Sequence, residues 1–215
     1  MTATWTLALG SHLFISKIRQ LQAHLITCIM KIKRITIIVT SALILIIAGI
    51  FISVVYIGVY DVGVPSRHNP VTEYLLKTTM RNSIKYRARY VDVPDSIDLR
   101  DRDYARNFFG HYNAACLPCH GAPGKDPDPW MILYPEAPVL TEKGVVDKWT
   151  DSELFLLLKN GIKSTGMMAL GPTHPDDAIW GVTALVRQLP EMTPEEYEAM
   201  QIWFEQMQQQ ASHAE

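Results

Sequence analysis

Cys116-Leu117-Pro118-Cys119-His120 is the stretch on which the reading of this chain turns. Two thiols stand three positions apart, and an imidazole follows the second directly. Only three cysteines occur in 215 residues, and two of them are here. Four chemistries compete for such a cluster. A structural zinc site needs about four ligands. The third cysteine, Cys28, lies before a long apolar run, and His111 and His174 have no partner at zinc-ligand spacing. A thioredoxin-like pair calls for a strand–helix–strand setting, whereas the surroundings of Cys116 read as helical and His120 would go unexplained. A Cys116–Cys119 disulfide closes too short a loop to stabilise much. The remaining chemistry is C-x-x-C-H as a covalent haem attachment, in which the thiols bond to the two vinyl groups and the adjacent imidazole takes the iron on the proximal face.

Outward from the motif, the patterning is helical. Asp101 to Ala115 is predicted as one helix delivering Cys116, with Tyr104, Phe108 and Tyr112 four apart on one face. Gly110 inside it costs about 1 kcal/mol relative to Ala, which points to close packing against another helix. Residues 121–140 are rich in Pro, Gly and Asp and read as a loop around the cofactor. Thr150-Asp151-Ser152-Glu153 is a capping box. It opens a helix that carries Leu154, Phe155 and Leu158 and ends near Gly161. Another helix begins near Pro175-Asp176-Asp177 and carries Ile179, Trp180 and Leu185. Thr193-Pro194-Glu195-Glu196 caps a last one, whose apolar face is Tyr197, Met200, Phe204 and Met207. No strand signal and no internal repeat stands out, so the fold class is all-α.

A haem that transfers electrons usually takes a Met thioether opposite its His. Downstream candidates are Met131, Met167, Met168, Met192, Met200 and Met207. Met131, eleven residues past His120, is too close to cross to the opposite face. Met200 and Met207 share the apolar stripe of the last helix. The loop Gly161–Gly171, flanked by glycines and without helical period, holds Met167 and Met168, and either sulfur fits on these grounds.

Three segments carry a family resemblance: NGIKSTGMMALGPTH over 160–174, IWGVTALVRQLPEMTPEEYEAM over 179–200, and Pro138-Val139-Leu140. From about Tyr104 to Met200 the chain resembles the class I c-type cytochromes of the membrane-anchored bacterial kind. The resemblance implies a class I cytochrome c fold around one covalent haem c. It implies Met167 as the distal iron ligand, because the family's ligand precedes a Pro; here Met168 stands where that Pro would be, which keeps Met168 as the second candidate. It also implies that the Pro138 carbonyl accepts a hydrogen bond from the His120 ring, with Leu140 beside the cofactor. The helix from Pro175 should cross the one from Asp101, at Gly110. Attachment after export would place the haem in the periplasm.

The other decisive run is apolar. Residues 35–60 contain no Asp, Glu, Lys, Arg or His. At about 1.5 Å per residue they form roughly 39 Å of helix, more than a bilayer core requires. No small-x-small cleavage site follows, so the run is predicted as an uncleaved transmembrane anchor. Lys31, Lys33 and Arg34 precede it and Asp61 follows, which favours the N-terminus inside. The first 29 residues, with Trp5 and Phe14, form either an interfacial helix or a leader ahead of a start at Met30. The domain plan is then 1–34 cytoplasmic, 35–60 anchor, 61–99 basic linker with a juxtamembrane helix, and 100–215 haem domain. In the linker Asn69-Pro70 opens a helix to about Arg89, with Leu75, Leu76, Met80 and Ile84 on one side, and Val93-Pro94 ends it.

Charge divides along the same lines. Residues 1–60 hold five basic and no acidic side chains, 61–91 six and two, and 92–215 nine and twenty, a net −11 hidden in a formal −2. An acidic head steers encounters with basic partner surfaces, and equally serves solubility. The basic linker meets anionic headgroups or serves as a solvated spacer. Two functions fit. One is an electron carrier in a bacterial inner membrane, free-standing or a subunit of a respiratory complex, with redox proteins and lipid as partners and no nucleic acid. The other is a five-coordinate haem enzyme or gas sensor, which needs an open iron position and acid–base groups, for which His111 and His174 are the spare histidines. As an enzyme alternative it is the weaker fit: His174 reads as capping its helix and His111 as facing solvent.

Overall fold

A computed structural model describes residues 4–58, 60–63 and 66–213, with side chains of the first helix described from His24 onward apart from Gln22. Trp5 and Phe14 have side chains outside the described residues. The chain forms two compact units, 1–62 and 63–215. Among the described residues there is no strand, only an isolated bridge between Ala122 and Lys125.

The first unit is one helix, α1 (Thr4–Ile52), closed by a π-helical turn over Ser53–Ile57 and stopped by Gly58 in the left-handed region (φ 71°). The helix therefore ends before the predicted boundary at 60, and it starts far upstream of 35: the helical backbone runs unbroken through Lys31–Arg34. His24–Ile57 has a mean hydropathy of 2.9, and none of its most apolar window is buried by protein. Thirty-four residues make about 51 Å of helix, enough to cross a bilayer. Two of its hydroxyls bond back along the helix: Thr36 donates to the Ile32 carbonyl (3.0 Å) and Thr40 to that of Thr36 (2.9 Å). Such back-bonding lets a helix carry hydroxyls without other partners. By length and composition this is a candidate membrane span.

The second unit begins with α2 (Pro70–Ala88). Asn69 caps it, its side-chain oxygen accepting from the Thr72 N–H at 2.9 Å, and Pro70 occupies the first turn, where its missing donor costs nothing. This helix is no free spacer. It packs on a later helix over Asp151–Asn160, and Ile84, followed by Val91, Val93 and Ile97, joins the edge of the core. Leu99 is itself buried. The compact head thus starts well before the boundary at 100 that composition suggests. The packed side of α2 also differs from the predicted one: Met80 and Ile84 are half-buried, whereas Leu75 and Leu76 stay exposed.

The predicted helix over 101–115 is two: α3 (Arg102–Arg106), capped by Asp101, and α4 (Phe109–Ala115). Phe108 leaves helical geometry between them (φ −103°, ψ 9°), and its ring lies where a Cβ on Gly181 would stand, at 2.1 Å. α5 (Leu117–His120) is a single turn, and α6 (Lys143–Val146) follows the long loop. α7 (Asp151–Asn160) carries the capping box as predicted, Thr150 and Glu153 bonding reciprocally. α8 (Asp176–Gln188) is buried along Ile179–Val186 and forms the centre of the head; a helix apolar all round has to be interior. Its Trp180 stacks on Phe155 of α7 at 4.1 Å. A turn at Leu189–Glu191 leads to α9 (Pro194–His213), opened by a second reciprocal pair, Thr193 and Glu196.

Two packing expectations need correction. The nearest approach to Gly110 comes from α9, not α8. A Cβ there would stand 2.5 Å from the Phe204 ring of α9, and the glycine that lets α8 approach the α3–α4 segment is Gly181. Met207 is not core either: it is exposed, because α9 outruns the head beyond Phe204.

Candidate functional site

The motif acquires its geometry from one helical turn. The Cys116 N–H donates to Tyr112 O (2.8 Å), ending α4, and the His120 N–H donates to Cys116 O (2.9 Å). Positions i, i+3 and i+4 of a turn share a face, so Cys116, Cys119 and His120 are presented together. Gly121 then breaks the helix at φ +66°, where a Cβ would stand 2.8 Å from Lys125 O. Buried Tyr112 donates its hydroxyl to Gly121 O at 2.6 Å, holding the turn just after the imidazole. Nothing in the spacing of the sequence singles out that tyrosine beyond its place on an apolar face.

The imidazole is fixed from outside as well. His120 Nδ1 lies 2.8 Å from Pro138 O. A carbonyl can only accept, so Nδ1 carries the hydrogen, and in the neutral ring the lone pair lies on Nε2. Leu140 closes the same loop, its N–H 3.4 Å from His120 O. Burial pushes the His120 pKa down, opposed by the Pro138 bond, and so favours the neutral ring a metal needs. Burial first, then neighbouring Cys119, pushes the Cys116 thiol up to about 12.

Cys116, Cys119, His120, Pro138, Leu140, Met167 and Met168 all line one cavity of about 790 Å³, within the range that holds cofactor-sized ligands. Its walls are mainly aliphatic, with Leu133, Leu154, Leu157, Leu158, Ile162 and Val186 among them. Met167 is half-buried against the core, whereas Met168 is 61% exposed. The Met loop is tied to the end of α7: Leu170 and Gly171 N–H groups donate to Leu158 and Lys159 carbonyls at 3.0 and 2.9 Å. Gly161, at φ +62°, permits this, since a Cβ there would stand 2.6 Å from Met167 O.

Other candidates fall away from the cavity. Met131, Met192, Met200 and Met207 do not line it, nor do His111 and His174. The two histidines face each other instead, ring centroids 5.2 Å apart, with His174 Nδ1 at 2.8 Å from the Thr173 hydroxyl. His174 does not cap α8, and His111 is half-buried rather than facing solvent. Among the described residues no three His, Cys, Asp or Glu side chains cluster as metal ligands, which leaves a protein-only zinc site without its donors.

Residues 104–186 match the family model described as cytochrome c oxidase, cbb3-type, subunit III. The match supports a c-type cytochrome domain over these residues. No curated protein and no solved structure matches the chain. A c-type cytochrome domain implies covalently bound haem c, and the cavity fits it: two thiols and a neutral imidazole on one face, a thioether on a lining loop, and aliphatic walls for a flat macrocycle. The cytochrome domain also draws on residues outside the match. Tyr74, Lys77, Thr78, Met80, Arg81 and Asn82 of α2 line the same cavity, alongside Lys148 and Trp149 from within the match. Sequence periodicity carries no signal for the α2 contribution, because the contact depends on where the helix docks.

Proposed function

We propose that this chain is a membrane-tethered electron carrier with one covalent haem c, ligated by His120 and Met167. When bound, the haem iron supplies a one-electron redox couple. Cys116 and Cys119 would hold the group by thioether bonds, and His120 Nε2 would bind the iron while the Pro138 carbonyl fixes the ring. Met167, half-buried on its loop, would supply a thioether ligand to the iron. The single observation that carries this reading is the convergence of both thiols, the Nδ1-bonded imidazole and the Met167 loop on one aliphatic cavity.

The α1 span would anchor the head to a bacterial inner membrane. The basic residues before it would stay in the cytoplasm and the head would face the periplasm. The acidic head suits redox partners with basic docking surfaces. The family's printed description, an oxidase subunit, supports membership of a larger respiratory complex, with the chain carrying electrons rather than turning over a substrate. An enzyme or sensor reading would want acid–base groups at the cavity, and His111 and His174 are turned to each other elsewhere.

Optical spectroscopy of the full chain tests the ligand set. The oxidised protein should show a far-red Met–iron charge-transfer band and the reduced protein should bind no carbon monoxide. Met167→Ala should abolish the band and admit carbon monoxide, and Met168→Ala should do neither. Loss of the band in Met168→Ala alone would transfer the role to Met168, and ready carbon monoxide binding by the unaltered protein would reject the electron-carrier reading.

A further inference from the structure

The cavity is not uniformly apolar. Two cations stand against the Trp149 ring, the Arg81 guanidinium carbon 5.7 Å and the Lys148 ammonium 5.9 Å from its centroid, and all three residues line the cavity. Among the described residues neither cation is paired with a carboxylate. Lys77, the third lysine or arginine of the lining, is neutralised by Glu73 on its own helix, and Glu136 is the only carboxylate in the lining. Positive charge without a carboxylate partner at the rim of an apolar cavity, in a head whose residues 92–215 carry a net −11, is available to an anionic group on the occupant. Trp149 is held firmly enough to organise such a site. Arg187 donates to the Trp149 carbonyl at 2.9 Å and to Asp151 at 2.9 Å, which ties the turn before α7 to α8.

Haem is an apolar disc except for its two propionates. We propose that α2 is a built-in wall of the cofactor site and that Arg81 meets a haem propionate there, with Lys148 beside it; this rests on the covalent-haem reading above. Arg81 lies outside the matched cytochrome domain, 104–186. The juxtamembrane helix is then part of the redox centre as well as of the tether. Arg81 is a positioning residue. It does not touch the iron, but a fixed positive charge near the haem favours the reduced state, which carries one positive charge fewer.

The test uses the full chain, solubilised and loaded with haem, in a potentiometric titration. Lys85 is exposed on the same helix and does not line the cavity, so Lys85→Gln removes the same charge from the wrong place. Arg81→Gln should lower the midpoint potential, Arg81→Lys should restore most of the shift, and Lys85→Gln should leave the potential unchanged. Arg81 is exposed at the rim, so these substitutions should leave folding intact. Arg81→Gln matching Lys85→Gln, with haem bound and spectrum intact, would overturn the proposal and leave the covalent-haem reading standing. An unaltered chain that carries no covalent haem would remove that reading itself, and the proposal with it.

Discussion

At the scale of single residues, the site is set by a few atoms with no freedom to move. His120 is locked by Pro138 O at Nδ1, and its turn by Tyr112 through Gly121 O. Gly161 is the equivalent constraint on the Met167 loop. Its positive φ and the 2.6 Å approach of a Cβ to Met167 O mean that Gly161→Ala must shift the backbone of the Met167 loop. We expect it to cost about 1–3 kcal/mol and to weaken the far-red band; chemical denaturation and the oxidised spectrum read both, and a variant as stable as the parent with an intact band contradicts this. His111 gives a pH dependence of its own. Burial, and then His174 beside it, holds its pKa below the ordinary value. The unfolded chain therefore takes up a proton near pH ~6.5 that the folded chain resists. The contribution is fully present above that pH and is lost as pH falls toward the lower folded value. His111→Gln should flatten that part of the acid limb in denaturant titrations run across pH, and an unchanged limb would contradict it.

At the scale of elements, local chemistry and tertiary contact part company. The helix starts at Asn69-Pro70, Thr150 and Thr193 are legible in the sequence because a cap involves residues three apart. Thr150→Ala should therefore cost about 1 kcal/mol in equilibrium unfolding, and a null effect would mean that α7 is held by packing alone. The C-x-x-C-H turn is legible for the same reason. What the sequence does not disclose depends on docking. The break at Phe108 follows from the close approach of Gly181, and the partner of Gly110 proves to be α9. The side of α2 that faces the cavity is chosen by α7, so Leu75 and Leu76, the stronger hydrophobes, remain outside while Arg81 and Met80 line the site.

At the scale of the whole molecule, two units with opposite demands on solvent share one chain. The helix of the first has no protein to bury its apolar surface, and the second buries a core around α8 and keeps an acidic exterior. The second is organised around a cavity on which two thiols, an imidazole and a methionine loop converge. The most direct test is the intact mass of the full chain purified from a host with a haem-attachment system, before and after acid–acetone extraction. The account expects a mass increased by one haem that survives extraction in the parent protein and is absent when Cys116 and Cys119 are both replaced by Ala. An unmodified mass in the parent, with the cofactor extracted or never present, would contradict it.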